Sequence, residues 1–546
     1  MPTKGKHGVR FEYVAERDVQ RVSVAGTFNN WNNLRNAMTN RGNRVWEIEL
    51  DIPKGRHLYK IVVEDTEWLL DPTNPNISED GQNNSAFTVT EAGDVLIRTT
   101  DIDEQHPGFL YQHFCALESP EWIRQAVIYQ LHLRAFDEQG FQGLTNRLGY
   151  LRELGVNTLW MMPFQLVGEQ NRTGTYGDPY AVRDYYSIDG HYGTAEELKQ
   201  LIGAAHASGM RVIMDWVMNR GSIDHVWTRE HPEYFTRNEQ GELYYEVPNR
   251  ICFAGLNFDN PEMRERVVEA MVYWLTTFDF DGFRLDDSDI TPLDFLNDIR
   301  QELSSIREDV VLISQSYDEY HHMEACDLTY DGSLRDVIRG ISDRTLTQRD
   351  FMRIYDSYTY SFPRGALRMR WLEEKEQPRI SEYLGYELAK PAASILMTVE
   401  GVPSLMMGQE FNEGTLRTWA SLFEEYRLDW ERFDREMYAH YQTLIRLRTR
   451  HAAFWKGKLE FVPNSEQSVL SYIRSSEEER FLVIVSLSEL PLRVRLADAT
   501  TTGELMNSRL IYRTGQGAEP GVEDRSEIVV AGYETLIYRL DKAAQV

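Results

Sequence analysis

Asp281–Ile290 reads DGFRLDDSDI, and within it Arg284 and Asp286 are the pair best suited to do chemistry. Phe283 and Leu285 alternate with them just after Gly282, as in a buried strand whose end delivers polar side chains into a cavity. An Arg beside an Asp on such an end holds the carboxylate ionised and aimed, as a nucleophile requires. The same pattern also describes a structural ion pair at a strand end. What the pair does therefore depends on the elements that position it and on the residues brought to face it.

Those elements repeat. From Pro120 the chain alternates apolar strands with amphipathic helices such as TAEELKQLIGAAHAS and PEMRERVVEAMVYWLTTF. AVIYQLHL, GVNTLWMMP, GMRVIMDWVMN, FDGFRLD, DVVLISQS, ACDLTY, ALRMRWLE and PSLMMG read as eight successive strands. Eight β/α units predict an α/β fold, a (β/α)8 TIM barrel over 119–456, with its site at the C-terminal strand ends and a small insert at about 220–257. Before it, VRFEYVA, VQRVSVAG, VWEIELDI and RHLYKIVVED, with turns such as TFNNWNN between, predict a β-sandwich over 1–98. Residues 99–118 lack periodicity and read as a linker. VLSYIRS, RFLVIVSLS, LRVRLAD, SEIVVAG and TLIYRL predict a second β-sandwich over 457–546.

The totals narrow the partners. A length of 546 residues suffices for several domains with large cores. The 86 acidic against 58 basic residues give a net charge of −28, which repels nucleic acid and anionic membranes at long range. Neither is expected as a partner. Three widely spaced cysteines (Cys115, Cys252, Cys326) make no disulfide framework, and the absence of a leader or a long apolar run predicts a cytoplasmic protein. Triplets such as Asn83-Asn84-Ser85 are accordingly not expected to be glycosylated. His321, His322, Glu324 and Cys326 fit no standard zinc spacing, so neither a metal nor another cofactor is expected. The 12 Trp, 29 Tyr and 23 Phe serve mainly as core, and aromatic planes also stack the apolar faces of sugar rings.

Two resemblances sharpen this reading. Gly26-Thr27-Phe28-Asn29-Asn30-Trp31, Gly55…Tyr59-Lys60, Glu67-Trp68…Asp71-Pro72 and Gly81-Gln82-Asn83-Asn84 resemble the family 48 carbohydrate-binding module, a glycogen- and starch-binding sandwich. In members that bind glucan the sugar site is two Trp, a Lys and an Asn, matching Trp31, Trp68, Lys60 and Asn83 or Asn84. Such modules also serve as docking domains against a barrel. Pro120–Glu410 resembles glycoside hydrolase family 13, the α-amylase family. The motifs run in order: Tyr176-Gly177-Asp178-Pro179-Tyr180, Asp215-Trp216-Val217-Met218-Asn219, Gly282-Phe283-Arg284-Leu285-Asp286, Arg379, Gly401-Val402-Pro403 and Gly408-Gln409-Glu410.

The second resemblance implies a retaining α-glucosidic mechanism. Asp286 matches the nucleophile, Arg284 its orienting cation, Tyr180 the ring beneath the cleaved sugar and Asp215 a further site carboxylate. Three strand ends depart from the family. Gln315 stands where the general acid is expected as Glu, and an amide delivers no proton; that step is worth about 10²–10⁴ in rate. Glu374-Lys375-Glu376 replaces Asn-His-Asp, so Glu376 carries the stabiliser's charge on a longer stem, and Asn219-Arg220 replaces Asn-His. Asp318 and Glu319, just downstream of Gln315, read as solvated loop charges. If all point inward, Arg220, Arg284, Lys375 and Arg379 face Asp215, Asp286, Glu374 and Glu376, and the charges are expected to pair and fill the glucose subsite. The expectation is an α-glucan-binding protein with an inactive or severely impaired barrel. The alternative is a retaining α-glucan-active hydrolase or transglycosylase with an atypical site. A protein partner or a homo-oligomer, with the barrel as a docking surface, is a further possibility.

Overall fold

In the computed structural model eight strands close into a barrel, all parallel, with the first strand paired to the eighth. The structure describes residues 1–78, 83–90, 92–97, 114–238, 240–245, 250–414, 420–498, 501, 504–505, 508–514 and 527–540. The barrel strands are Ile128–Leu131, Thr158–Met161, Arg211–Trp216, Gly282–Leu285, Val311–Ser314, Leu328–Asp331, Leu367–Trp371 and Val402–Met406. Six fall inside the runs read as strands, and the sixth and eighth each extend one residue beyond theirs, to Asp331 and back to Val402. Alternation sorts their side chains into two cores. Ile128, Trp160, Ile213, Ile313, Tyr330 and Met369 fill the inside, while Tyr129, Leu159, Val212, Phe283 and Leu312 pack outward under the helices. Arg284 and Asp215 take inward positions in the same alternation, which is how charged side chains come to lie inside an apolar barrel.

Around this core the helices are built from local signals. Thr194 and Glu197 form a capping box that starts Ala195–Ala207. Asn260 caps Pro261–Phe278, and Asp279 ends it in the left-handed region. Among the described residues no helix is long and apolar enough to cross a membrane.

Ahead of the barrel lie two antiparallel sheets around one aromatic core of Phe11, Phe28, Tyr59 and Phe87. This module docks on the barrel through its 30–35 loop. Asn32 donates to Asp259 at 3.2 Å, Arg35 pairs with Asp294, and His57 stacks on Tyr320 with ring centres 5.4 Å apart. Gly55, at φ +132°, lets the backbone pass Tyr320, where a Cβ would approach within 2.8 Å. Of the segment read as a linker, residues 99–113 lie outside the described residues. Its end is packed: Ala116 and Leu117 donate backbone bonds to Arg364 and His322 at 2.9 and 2.8 Å. The C-terminal region forms a five-stranded antiparallel sheet, from Lys458–Phe461 to Thr535–Leu540, with a separate two-stranded ribbon.

Candidate active site

Parallel strands end on one face, and there the third and fourth strands bring three charged groups together. Asp215 and Arg284 are cross-strand neighbours, and Arg284 Nη1 donates to Asp215 Oδ1 at 2.8 Å. Asp286, two residues beyond Arg284, points the same way and accepts from the same nitrogen at Oδ1. Trp160 Nε1 and Tyr180 OH donate to Asp215 Oδ2 at 3.1 and 2.9 Å, and Arg284 Nε donates to Tyr330 OH at 2.9 Å. Every one of these side chains is buried.

Two further cations close over Asp286. Arg220 opens the excursion after the third strand, where Arg220–Ser222 pairs with Phe253–Gly255. Its Nη2 donates to Asp286 Oδ2, and its Nη1 to Asp287 Oδ2 at 2.6 Å and Asn219 Oδ1 at 2.8 Å. The guanidinium lies 4.7 Å from the centre of the Phe253 ring. Lys375 Nζ stands 3.9 Å from Asp286 Oδ1, 3.3 Å from Glu374 Oε1 and 4.9 Å from the centre of the Tyr180 ring. An ammonium thus occupies a face of the ring expected to stack a sugar.

The electrostatics follow from this crowding. Burial pushes the Asp286 carboxyl up, but Arg220, Arg284 and Lys375 outweigh it and hold it down at about 2. For Asp215 burial prevails over the pull of Arg284, and its carboxyl is raised. Burial and Arg284 act to lower Lys375, yet the carboxylates around it carry it above its ordinary value, so it stays charged. Gln315, half-buried after the fifth strand, accepts from the Asp287 N–H at Oε1, 3.0 Å away. Its own N–H donates to Leu285 O and Ser288 Oγ at 3.1 Å each. Glu376 lines the same cavity with its side chain 42% exposed and its carboxyl pushed up by burial.

The remaining cavity measures 240 Å³ and is lined by Tyr180, Arg220, Asp286, Gln315, Lys375 and Glu376 among others. That is below the range of about 300–1,000 Å³ usual for small-molecule sites. Arg379 lies apart. It pairs with buried Glu373 at 2.6 Å and Glu413 at 3.4 Å and donates to Met407 O at 2.9 Å, so the fourth inward cation of the sequence reading is absent from the lining. Glu374 points inward to Lys375 and accepts from the Glu376 N–H at 2.9 Å. Glu410 is buried, accepts from Tyr129 and Tyr150 at 2.8 and 2.7 Å, and is pushed by burial up to about 7.

Sequence reasoning missed Asp287, Asp289, Tyr245 and Phe253, all of which line the cavity. Asp287 and Asp289 had a signal, since they follow Asp286 in the same run. Tyr245 and Phe253 arrive from the excursion and had none. Asp318 also differs from expectation: burial and the nearby Asp289 push its carboxyl up, so it is not a fully solvated loop charge. His321 and His322 are buried against the Ser314 and Thr329 hydroxyls at 2.7 and 2.8 Å.

In the first module Trp31 and Trp68 lie with ring centres 6.4 Å apart, inclined at 41°, and Trp68 is 39% exposed. Trp68 pairs with Val62 across the sheet, and Lys60 shares Val62's face by period two. Asn83 is exposed and Asn84 is buried, so Asn83 is the better placed of the two to meet a ligand.

Comparison with known proteins agrees with these two assemblies. Residues 134–251 match the alpha amylase catalytic domain, and residues 9–95 match the glycogen recognition site of AMP-activated protein kinase. Alpha-amylase 3 of Dictyoglomus thermophilum is 24% identical over 492 residues, covering 77% of this chain and 94% of that one. A maltogenic alpha-amylase of Bacillus acidopullulyticus is 24% identical over 463 residues, covering 74% and 78%. The crystal structure of a maltogenic alpha-amylase from Thermotoga neapolitana superposes with a TM-score of 0.69 at 29% identity, covering 77% of this chain and all of that one. With its motifs at the strand ends, the closed eight-stranded barrel is similar to the alpha-amylase catalytic domain of glycoside hydrolase family 13, and it follows a module similar to a glycogen recognition site.

Proposed function

We propose that this protein binds α-glucan, glycogen or starch, through its first module and acts as a regulator or scaffold, its barrel cleaving glucan poorly or not at all. The supporting observation is that Asp286 is bonded by Arg220 as well as Arg284, with Lys375 beside it and over the Tyr180 ring. A nucleophile needs a lone pair facing the anomeric carbon. Here each Asp286 oxygen accepts from a guanidinium, and Lys375 Nζ stands 3.9 Å from Oδ1. Gln315 accepts a backbone bond and has no acidic proton to give. A reducing, cytoplasmic setting fits the buried Cys252 and Cys326.

Incubated with maltoheptaose and with glycogen, the protein is expected to release no products above a buffer control when these are separated by chromatography. Steady turnover that Asp286→Asn abolishes would end this reading. That outcome belongs to the second reading, a retaining glucan-active enzyme with an atypical acid. It is favoured by Glu376 and Asp289, which line the cavity with carboxyls pushed up by burial, and by the names of the relatives.

The module supplies its own test. Trp31→Ala and Trp68→Ala are each expected to weaken glycogen retention in co-sedimentation by about tenfold, as removal of a central aromatic contact does. Trp68 is the safer probe, because Trp31 sits between Asn30 and Asn32, which both bond to the barrel. Undiminished retention of the Trp68 variant would remove the sugar site from this face.

A further inference from the structure

At the other end of the barrel, where strands begin, a cavity of 480 Å³ lies between the barrel floor and the C-terminal sheet. Arg124 and Gly401 come from just ahead of the first and eighth strands, and Lys458 and Arg474 from the C-terminal sheet. Seven lining residues are cationic and one, Glu400, is acidic. In a chain of net charge −28 this is a local reversal of sign. Glu477 and Glu478 line an adjoining hollow with Lys456 and Lys458.

Arg370 pairs with Asp331. Glu400 is engaged elsewhere, accepting from the Leu459 N–H at 2.7 Å and the Tyr355 OH at 3.3 Å. Among the described residues Arg124, Lys456, Lys458 and Arg474 enter no ion pair. Arg474 is 1% exposed, and its two terminal nitrogens donate to Thr398 O and Gly457 O. Its Nε has no partner among the described residues. Burial lowers Arg474, and the charge of nearby Glu400 offsets that only in part. Arg448 shares the strain: burial and the neighbouring Arg474 push it down to about 9.

A built cavity of metabolite size, with buried guanidinium and exposed ammonium groups, has the chemistry of a phosphate site. Guanidinium forks engage two phosphate oxygens at once, and the lysines at the rim add charge. Trp455, half-buried in the lining, offers a flat apolar surface for whatever carries the phosphate. A long polyanion is disfavoured, because the chain's overall charge repels it outside the cavity.

We propose that this cavity binds the phosphate group of a small phosphorylated metabolite, held by Arg124, Lys456 and Lys458 at the junction of barrel and C-terminal sheet, with buried Arg474 adding charge from the wall. The site is independent of the glucan reading. Binding ties two regions of the fold together and raises the unfolding temperature with ligand concentration.

Isothermal titration of the full chain with inorganic phosphate, glucose 6-phosphate and AMP, each in KCl at matched ionic strength, tests the site. At least one probe is expected to bind saturably at one site and to raise the unfolding temperature. Tighter binding of glucose 6-phosphate identifies a sugar phosphate, and tighter binding of AMP a nucleotide; either supports the site. Lys456→Glu with Lys458→Glu, both exposed and so compatible with folding, is expected to weaken binding by about tenfold or more. Arg124→Ala checks the opposite wall and is expected to weaken it as well. No saturable binding of any probe, or equal binding by both altered proteins, overturns the proposal.

Discussion

Replacing Arg220 and Lys375 by His together with Gln315 by Glu is expected to raise cleavage of maltoheptaose by at least about 10²-fold over the unaltered chain. Each change removes a different obstacle. Arg220→His withdraws the guanidinium from Asp286 Oδ2. Lys375→His takes the ammonium off the Tyr180 ring and away from Asp286. Gln315→Glu supplies a carboxyl at the end of the fifth strand, half-buried and beside the Asp287 N–H. The three act as a unit, so the singles are expected to stay near the baseline and only the combination to rise. Gln315→Glu alone leaves the subsite filled, and the two His changes alone leave it without a proton donor. Time courses of product release, with Asp286→Asn added to the triple as a control, read the effect. Should Gln315→Glu by itself reach the rate of the triple, Arg220 and Lys375 do not close the site.

Asp286→Asn in the unaltered chain is expected to lower stability by about 3–5 kcal/mol, seen as a lower thermal midpoint. Three buried cations, Arg220, Arg284 and Lys375, face three buried carboxylates, Asp215, Asp286 and Glu374. Neutralising Asp286 leaves two arginines and a lysine against two carboxylates in a site with little water to screen them. In a working site, where catalytic groups are held at a cost to the fold, such a change tends to stabilise, so the sign of the effect separates the two readings. Its pH dependence is also specified. The Asp286 carboxyl is held at about 2, below the ordinary 3.8. Its contribution is therefore full above about pH 4 and fades as pH falls through 2. The gap between the two proteins should narrow in that acid window. A double-mutant cycle with Arg220→Gln should show coupling, the double losing less than the sum of the singles.

Much of the barrel was legible because its signal is local. Alternation along four to six residues placed Ile213 and Ile313 inside and Phe283 outside, and the same alternation sent Arg284 and Asp286 inward. The strand-end motifs could be read for the same reason. Asp287 and Asp289 were missed although adjacent, because a left-handed residue at Asp287 turns the chain and redirects the side chains that follow.

From sequence alone, the chain's eight strands, its glycogen-recognition type module and the candidate charged groups were determined, since each depends on residues a few places apart. Tertiary structure decided which charge meets which. It sent Arg379 to Glu373 and Glu413 instead of the cavity, and set Arg220 against Asp286 from 66 positions away. It also brought Tyr245 and Phe253 over the site and gathered seven cations beneath the barrel. Ion pairing falls off steeply with distance and depends on burial, and both are set by how loops far apart in the chain pack together.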